Sequence, residues 1–388
     1  MGSCKLIARP WKRPPIPLTL LLGGLVLRLA LLPFAEGYDF RSYAHLARFT
    51  LHGRNAYIIG VHVMEPWAYL PLCLHLFTAL EWFAEHTGWP FRVLGKLPIV
   101  AGDLLVGCLV YAALRRRGSS ERVAVAGMAL YLFNPLVLYN GAFYGRFDAI
   151  ALAFLLLALE YYYTHWFAPA FALAISAKTF PLFMLPLLAL GRDRQAPHRI
   201  ILSCTLVLAL AVPYIITEPD KLLSHLFYNR ASFGRLSWYY LFLSTRWLSK
   251  PEVITVAHIT TYIYPVILLA FVHRPIYMKA ALCFTLYLVL NHVVYEQYLL
   301  WPLPFLIVVG LHYRSYLAIG LIALCTIAGT LENEHTWWAR SHGPLLSYAL
   351  LPTPYVPLNV ALATGVLAFI LIKLQQHESL HVSIIRHH

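Results

Sequence analysis

Five short groups of polar side chains interrupt an otherwise apolar sequence of 388 residues. They are Gly37-Tyr38-Asp39-Phe40, Tyr144-Gly145-Arg146-Phe147-Asp148, Lys178-Thr179-Phe180-Pro181, Tyr228-Asn229-Arg230 with Gly234-Arg235-Leu236-Ser237-Trp238-Tyr239-Tyr240, and Asn291-His292 with Tyr295-Glu296-Gln297-Tyr298. Carboxylates and cations in one neighbourhood serve two kinds of chemistry. A carboxylate within hydrogen-bond reach of a hydroxyl can take its proton as a general base. Fixed Lys and Arg side chains hold a phosphate and stabilise the charge that develops when it leaves. Each residue is also open to a plainer reading. Asp39 and Asp148 could cap helices, the first beginning near Arg41. Asp103 could hydrogen-bond within a helix bundle, and Arg28 could reach outward to an interface. Lys178 has fewer alternatives, because a cation inside an apolar layer needs an anion. His45, His52, His62 and His75 lack HxxxH spacing and suggest no metal site.

The elements that carry these groups follow from composition. Hydrophobic residues make up 60% and charged residues 12%, too few charges to cover a water-facing surface. A soluble enzyme, a disordered chain and a disulfide scaffold are thereby excluded, and an all-α polytopic membrane protein is expected. The formal charge of +13, from 30 Lys+Arg against 17 Asp+Glu, lies mostly in short clusters between apolar runs. That is the positive-inside pattern of cytoplasmic loops rather than a nucleic-acid surface. Six scattered cysteines make no CxxC spacing and read as small buried apolar residues.

The expected organisation is one integral membrane domain over 1–388. A first span at 17–34 leads to an external loop, 35–92, in which 67–84 forms a helix lying on the membrane surface. Were 67–84 a span, Arg115-Arg116-Arg117 would fall outside, against the charge rule. A core bundle at 93–311 follows, with spans near 93–114, 123–140 and 148–163. Segment 166–190 is expected to enter and return as a re-entrant hairpin, broken where Lys178 and Pro181 interrupt the helix. A span at 200–216, a second external loop at 217–252, and spans near 253–271, 280–295 and 297–311 complete the core. C-terminal spans near 315–330 and 355–373 flank an external segment carrying Trp337 and Trp338. About ten spans and one hairpin result, with no internal repeat. The five polar groups then collect on the external side. Lys221, Arg230, Arg235, Arg246 and Lys250 lie outside against Glu218, Asp220 and Glu252, contrary to the charge rule. They point either to an anionic ligand such as a lipid phosphate or to lipid headgroups in general.

The order of these blocks resembles the GT-C superfamily of lipid-phosphate-sugar-dependent glycosyltransferases. The pattern is that of the GPI mannosyltransferase I catalytic subunits and the bacterial polyprenol-phosphate-mannose-dependent mannosyltransferases. It runs over about residues 20–305: Leu27-Arg28-Leu29 before Asp39; Gly53-Arg54-Asn55-Ala56-Tyr57 before Tyr69-Leu70-Pro71-Leu72; Leu94-Gly95-Lys96 before Asp103-Leu104-Leu105; and Asn134-Pro135-Leu136 before the Gly141–Asp148 turn. Lys178 with Pro181 and Pro186, then Asn291-His292-Val293 and Gln297-Tyr298-Leu299-Leu300-Trp301, continue it.

The resemblance implies a GT-C-type bundle of about 10–12 transmembrane helices with a long first external loop. It implies an inverting transfer of a hexose, mannose foremost, from a polyprenyl-phosphate donor to an extracytoplasmic glycolipid or glycan acceptor. Asp39 takes the place of the catalytic acid. Lys178, Arg230 and Arg235 take that of donor-phosphate contacts, and Arg41, Arg146, Asp148, Asn291, Glu296, Gln297 and Tyr298 would bind substrate. Arg41 stands where the GPI enzymes have the second acid of an Asp-x-Asp pair, so no cofactor is expected and a divalent metal lacks that motif's support. The implied setting is the plasma membrane of a prokaryote or the endoplasmic reticulum of a eukaryote, with membrane lipids as partners and no nucleic acid. A transporter or lipid flippase is the rival from another class, although such proteins usually show repeats and a midplane site. A non-catalytic scaffold would leave the clustering of Asp39, Asp148 and Lys178 unexplained.

Overall fold

The computed structural model describes residues 17–58, 67–190, 195–217, 219–226 and 271–342, with isolated positions between 193 and 369. The described chain is helical. Helix α1 (Leu18–Leu31) is followed by α2 (Tyr38–Leu51) and α3 (Pro71–Thr87). The helix expected over 67–84 begins later than 67, because Trp67–Leu70 lies outside it and Pro71 suits a first helical turn. It ends at Gly88, whose φ of +74° is the left-handed conformation of a helix stop.

A short turn, α4 (Phe91–Leu94), runs into α5 (Leu97–Arg116). Ser120 accepts a hydrogen bond from Val123 N and starts α6 (Glu121–Leu132). Asn134 then caps a new start at Pro135, so that α7 (Pro135–Leu138) and a π-type turn, Tyr139–Phe143, bend away from α6 by 45°. Helix α8 (Asp148–Glu160) is buried along nearly its whole length, packed between α5 and α9 (Phe167–Ala177). The break expected at Lys178–Pro181 is present: α9 stops at Lys178 in extended conformation, and a 3-10 turn, Phe180–Met184, leads to α10 (Leu185–Ala189). Helices α11 (Ala196–Thr217), α12 (Pro219–Leu226), α13 (Ile276–Leu290), α14 (Leu303–His312) and α15 (Tyr316–His342) follow, with a 3-10 turn, Glu296–Leu300, between α13 and α14.

Among the described residues, two helical stretches are long and apolar enough to cross a membrane, Phe91–Arg116 and Ala196–Thr217, or three with the bent pair. Other expected spans are shorter apolar helices, among them 18–31, 167–177, 276–290 and 316–332. Polar residues and prolines at one end of the bundle (Asn134-Pro135, Lys178 to Pro181, Asn291 to Glu296, Pro302) shorten them by stopping the helix before the apolar run ends. Helix α15 instead continues past 330 into the segment expected to be external.

Salt bridges mark two opposite ends of the bundle. Arg116 and Arg117 pair with Glu160 at the last turn of α8, and Arg199 reaches Asp193 and the Tyr162 carbonyl. His312, ending α14, meets Ser119 at the same end. About 20 Å along α8, at a rise of 1.5 Å per residue, its first residue Asp148 faces the other polar set.

Arg28 corrects an expectation. It does not reach outward but is fully buried, its Nε 3.1 Å from Asp103 Oδ2 and its Nη1 2.9 Å from the Leu132 carbonyl. Asp103 and the helix-end carbonyl of Leu132 partner the guanidinium inside the bundle, from helices the sequence does not place beside it. Asp103 has the bundle hydrogen bonds expected of it, to Arg28 and Tyr131.

Candidate functional site

Asp39 lies in the first turn of α2, where the helix N-terminus favours a negative charge. Gly37, not Asp39, occupies the cap position, so the Asp39 carboxylate is turned elsewhere. Its Oδ2 lies 3.3 Å from Arg146 Nε. Arg146 is the hub of the group: its Nη1 lies 2.5 Å from Glu296 Oε1 and donates to Asn140 Oδ1 at 2.8 Å. Burial works against the Arg146 charge, but Glu296 and Asp39 outweigh it and hold its pKa above the ordinary value.

Two residues on, Asp148 opens α8 and is fully buried. Its Oδ2 accepts from Lys178 Nζ at 2.7 Å and its Oδ1 from Trp301 Nε1 at 2.7 Å. The anion that Lys178 required is therefore a carboxylate of the chain itself. The ammonium also lies 5.2 Å from the Tyr69 ring centroid and 5.3 Å from that of Phe147. Phe147 belongs to an aromatic cluster with Tyr43, Trp67, Tyr69 and Phe77, which joins α2 and α3 to the start of α8. Burial pushes the Tyr43 and Tyr69 hydroxyls up, and Lys178 partly offsets this for Tyr69.

The backbone of the turn is set by Gly145, with φ +79°. A Cβ there would lie 2.4 Å from the Phe40 ring. Gly145→Ala is expected to lower stability by about 1–3 kcal/mol, the typical cost of overpacking, and to move Arg146 off Asp39. Thermal unfolding of the purified variant measures the first effect, and loss of activity accompanies the second.

Of the other residues singled out by sequence, Arg41 is exposed in the first turn of α2, beside Asp39. Asn291 ends α13; its side chain accepts from Val293 N and its carbonyl from Ser237 Oγ. Gln297 and Tyr298 are buried in the 3-10 turn after Glu296, and the Tyr298 ring stacks on Trp301 at 4.2 Å. Arg230 and Arg235 lie outside the described residues, but the neighbouring Leu236 N donates to the Val294 carbonyl at 3.3 Å. Leu236 therefore meets the chain two residues before Glu296. Asn140, Tyr43, Tyr69 and Trp301 were not assigned roles from sequence. Trp301 carried a signal, since an indole N–H in an apolar run needs an acceptor. Among the described residues, no three His, Cys, Asp or Glu side chains converge as a metal set would.

No protein-family profile matches the chain. A segment of 99 residues is 34% identical to GPI mannosyltransferase 1 of Gibberella zeae, covering 26% of this chain and 20% of that protein's length. The crystal structure of ArnT from Cupriavidus metallidurans bound to undecaprenyl phosphate superposes with a TM-score of 0.52 at 16% identity, over 94% of this chain and 77% of that one. The chain thus shares the fold of ArnT over nearly its whole length and one short segment with GPI mannosyltransferase 1, of which it spans about a fifth.

Proposed function

We propose that the polar end of this bundle transfers a hexose, mannose foremost, from a polyprenyl-phosphate sugar to an extracytoplasmic lipid-linked or glycan acceptor. The observation that carries the reading is the joining of four separate chain segments by two adjacent ion-pair groups, Asp39–Arg146–Glu296 and Lys178–Asp148. In the reaction an acceptor hydroxyl oxygen attacks the anomeric carbon and the bond from that carbon to the phosphate oxygen breaks. The polyprenyl phosphate leaves with the electron pair. Asp39 takes the hydroxyl proton as general base, oriented by Arg146 at one of its oxygens. Attack opposite the leaving phosphate inverts the anomeric centre. The extracytoplasmic orientation rests on the Arg115–Arg117 cluster at the opposite end, under the positive-inside rule. The relatives named above support a lipid-phosphate donor through the ArnT ligand and mannose through the GPI enzyme's name.

Formal charge bears on where the donor phosphate would be held. Asp39, Asp148 and Glu296 are three carboxylates against the two cations Arg146 and Lys178. With Lys178 committed to Asp148, this set alone would repel a phosphodiester. We assign the balance to Arg230 and Arg235, with Lys178 keeping Asp148 neutralised and Arg41, Asn291, Gln297 and Tyr298 lining the substrate. Arg230→Ala is expected to lower kcat/KM for the donor about tenfold, the loss of one charge-assisted phosphate contact, measured by steady-state transfer at varied donor concentration.

The reading is tested by incubating the purified protein with three radiolabelled polyprenyl-phosphate sugars, those of mannose, glucose and a pentose, together with extracted membrane lipids. Label moving to lipid or glycan from the mannose donor supports it. Movement of intact donor across vesicles, without cleavage of any of the three, would favour the flippase instead.

A further inference from the structure

Lys96 is fully buried between α4 and α5, yet its ammonium donates to backbone carbonyls rather than to a carboxylate. Its Nζ donates to the Leu32 carbonyl at 3.0 Å, the Ala35 carbonyl at 2.5 Å and the Phe143 carbonyl at 2.7 Å. Three donors of an ammonium meet three acceptors. Leu32 ends α1, where exposed carbonyls favour a cation. Ala35 and Phe143 belong to the two segments that carry Asp39 and Arg146. These segments run side by side and are joined at three successive levels. Lys96 bridges Ala35 to Phe143, Gly37 N donates to the Tyr144 carbonyl at 2.9 Å, and Asp39 pairs with Arg146 at 3.3 Å. The ammonium also lies 5.7 Å from the centroid of the Phe40 ring, which fills a slot made by Gly95 and Gly145.

We infer that Lys96 is a positioning residue, a carbonyl clamp that sets the Asp39 carboxylate against Arg146. It touches no reacting atom, and the inference rests on Asp39 being the base. A cation suits the place better than a neutral donor because it satisfies three carbonyls at once, in a region where water is excluded. The Gly37 rung depends on close approach: a Cβ at Gly37 would lie 2.9 Å from the Tyr144 carbonyl oxygen. Lys96→Met removes the first rung and keeps the stem's volume, whereas Gly37→Ala opens the second without altering charge.

The test compares wild type, K96M, G37A and D39N as full-length purified proteins. Hydrogen–deuterium exchange by mass spectrometry is expected to rise at least about tenfold in K96M over residues 35–41 and 143–147 and to stay unchanged in α13. With polyprenyl-phosphate mannose as donor, kcat is expected to fall about 100-fold, the typical result of a misplaced catalytic group, while the donor KM stays within about twofold. A merely structural lysine would lower thermal stability without that split between kcat and KM. Unchanged exchange in K96M, or an unchanged kcat, overturns the clamp. Should K96M yield no folded protein, G37A decides by the same two readouts. D39N transferring at the wild-type rate would sink the base assignment, while the exchange result would still decide the clamp.

Discussion

Asp39→Asn is expected to reduce sugar transfer by about 10²–10⁴-fold, the range over which a positioned general base contributes. Asparagine has nearly the same shape as aspartate and can keep an amide oxygen at the place, 3.3 Å from Arg146 Nε, that the carboxylate oxygen holds. What it loses is basicity. The helix should survive the change, because Gly37 rather than Asp39 holds the cap position of α2. Arg146 retains Glu296 and Asn140, so its place in the structure does not depend on Asp39 alone. The unfolding temperature of the variant should therefore stay close to wild type while single-turnover transfer collapses. A folded Asp39→Asn protein turning over at the wild-type rate would remove the base from the mechanism.

Lys178→Met is expected to cost about 3–5 kcal/mol of stability, the penalty for stranding a buried charge. The cause is Asp148, which is fully buried and would keep only Trp301 among the two partners its oxygens now have. Two further losses add to this, the ammonium's contacts with the Tyr69 and Phe147 rings. The double variant Lys178→Met with Asp148→Leu should recover most of the stability, since a buried ion pair replaced by apolar groups of similar volume is often neutral. Unfolding of the three proteins in the same detergent measures the difference. A single variant as stable as wild type would show that Asp148 is not carrying an unbalanced charge in the bundle.

The residues of the candidate site were legible in the sequence because charges are conspicuous in a chain that is 60% hydrophobic. Asp39, Arg146, Asp148, Lys178 and Glu296 could be singled out from that contrast alone, and the break after α9 from Lys178 and Pro181. Their pairings were not legible. Sequence says that Lys178 needs an anion, but Asp148 and a ligand phosphate satisfy that need equally until the ends of α8 and α9 are brought together. Arg28 was misjudged for a related reason. A long side chain near a helix end can turn outward or inward, and its partners, Asp103 and the Leu132 carbonyl, come from distant helices. Lys96 left no trace of its role, because backbone carbonyls are common to every residue and carry no sequence signature. Helix lengths were overestimated where apolar runs continue beyond a structural stop, as at Asn134-Pro135.

The donor phosphate is expected beside the Asp39–Arg146–Glu296 group, held by Arg230 and Arg235 rather than by the group itself. Photolabelling tests this most directly, using polyprenyl phosphate with a diazirine in its first isoprene unit and mapping the attached peptides by mass spectrometry. Label is expected within residues 36–41, 143–148, 227–240 and 291–298, and less of it in the presence of unlabelled polyprenyl-phosphate mannose. Label confined to the opposite end of the bundle, around Arg115–Ser119 and Tyr161–Trp166, and indifferent to that competitor, would contradict it.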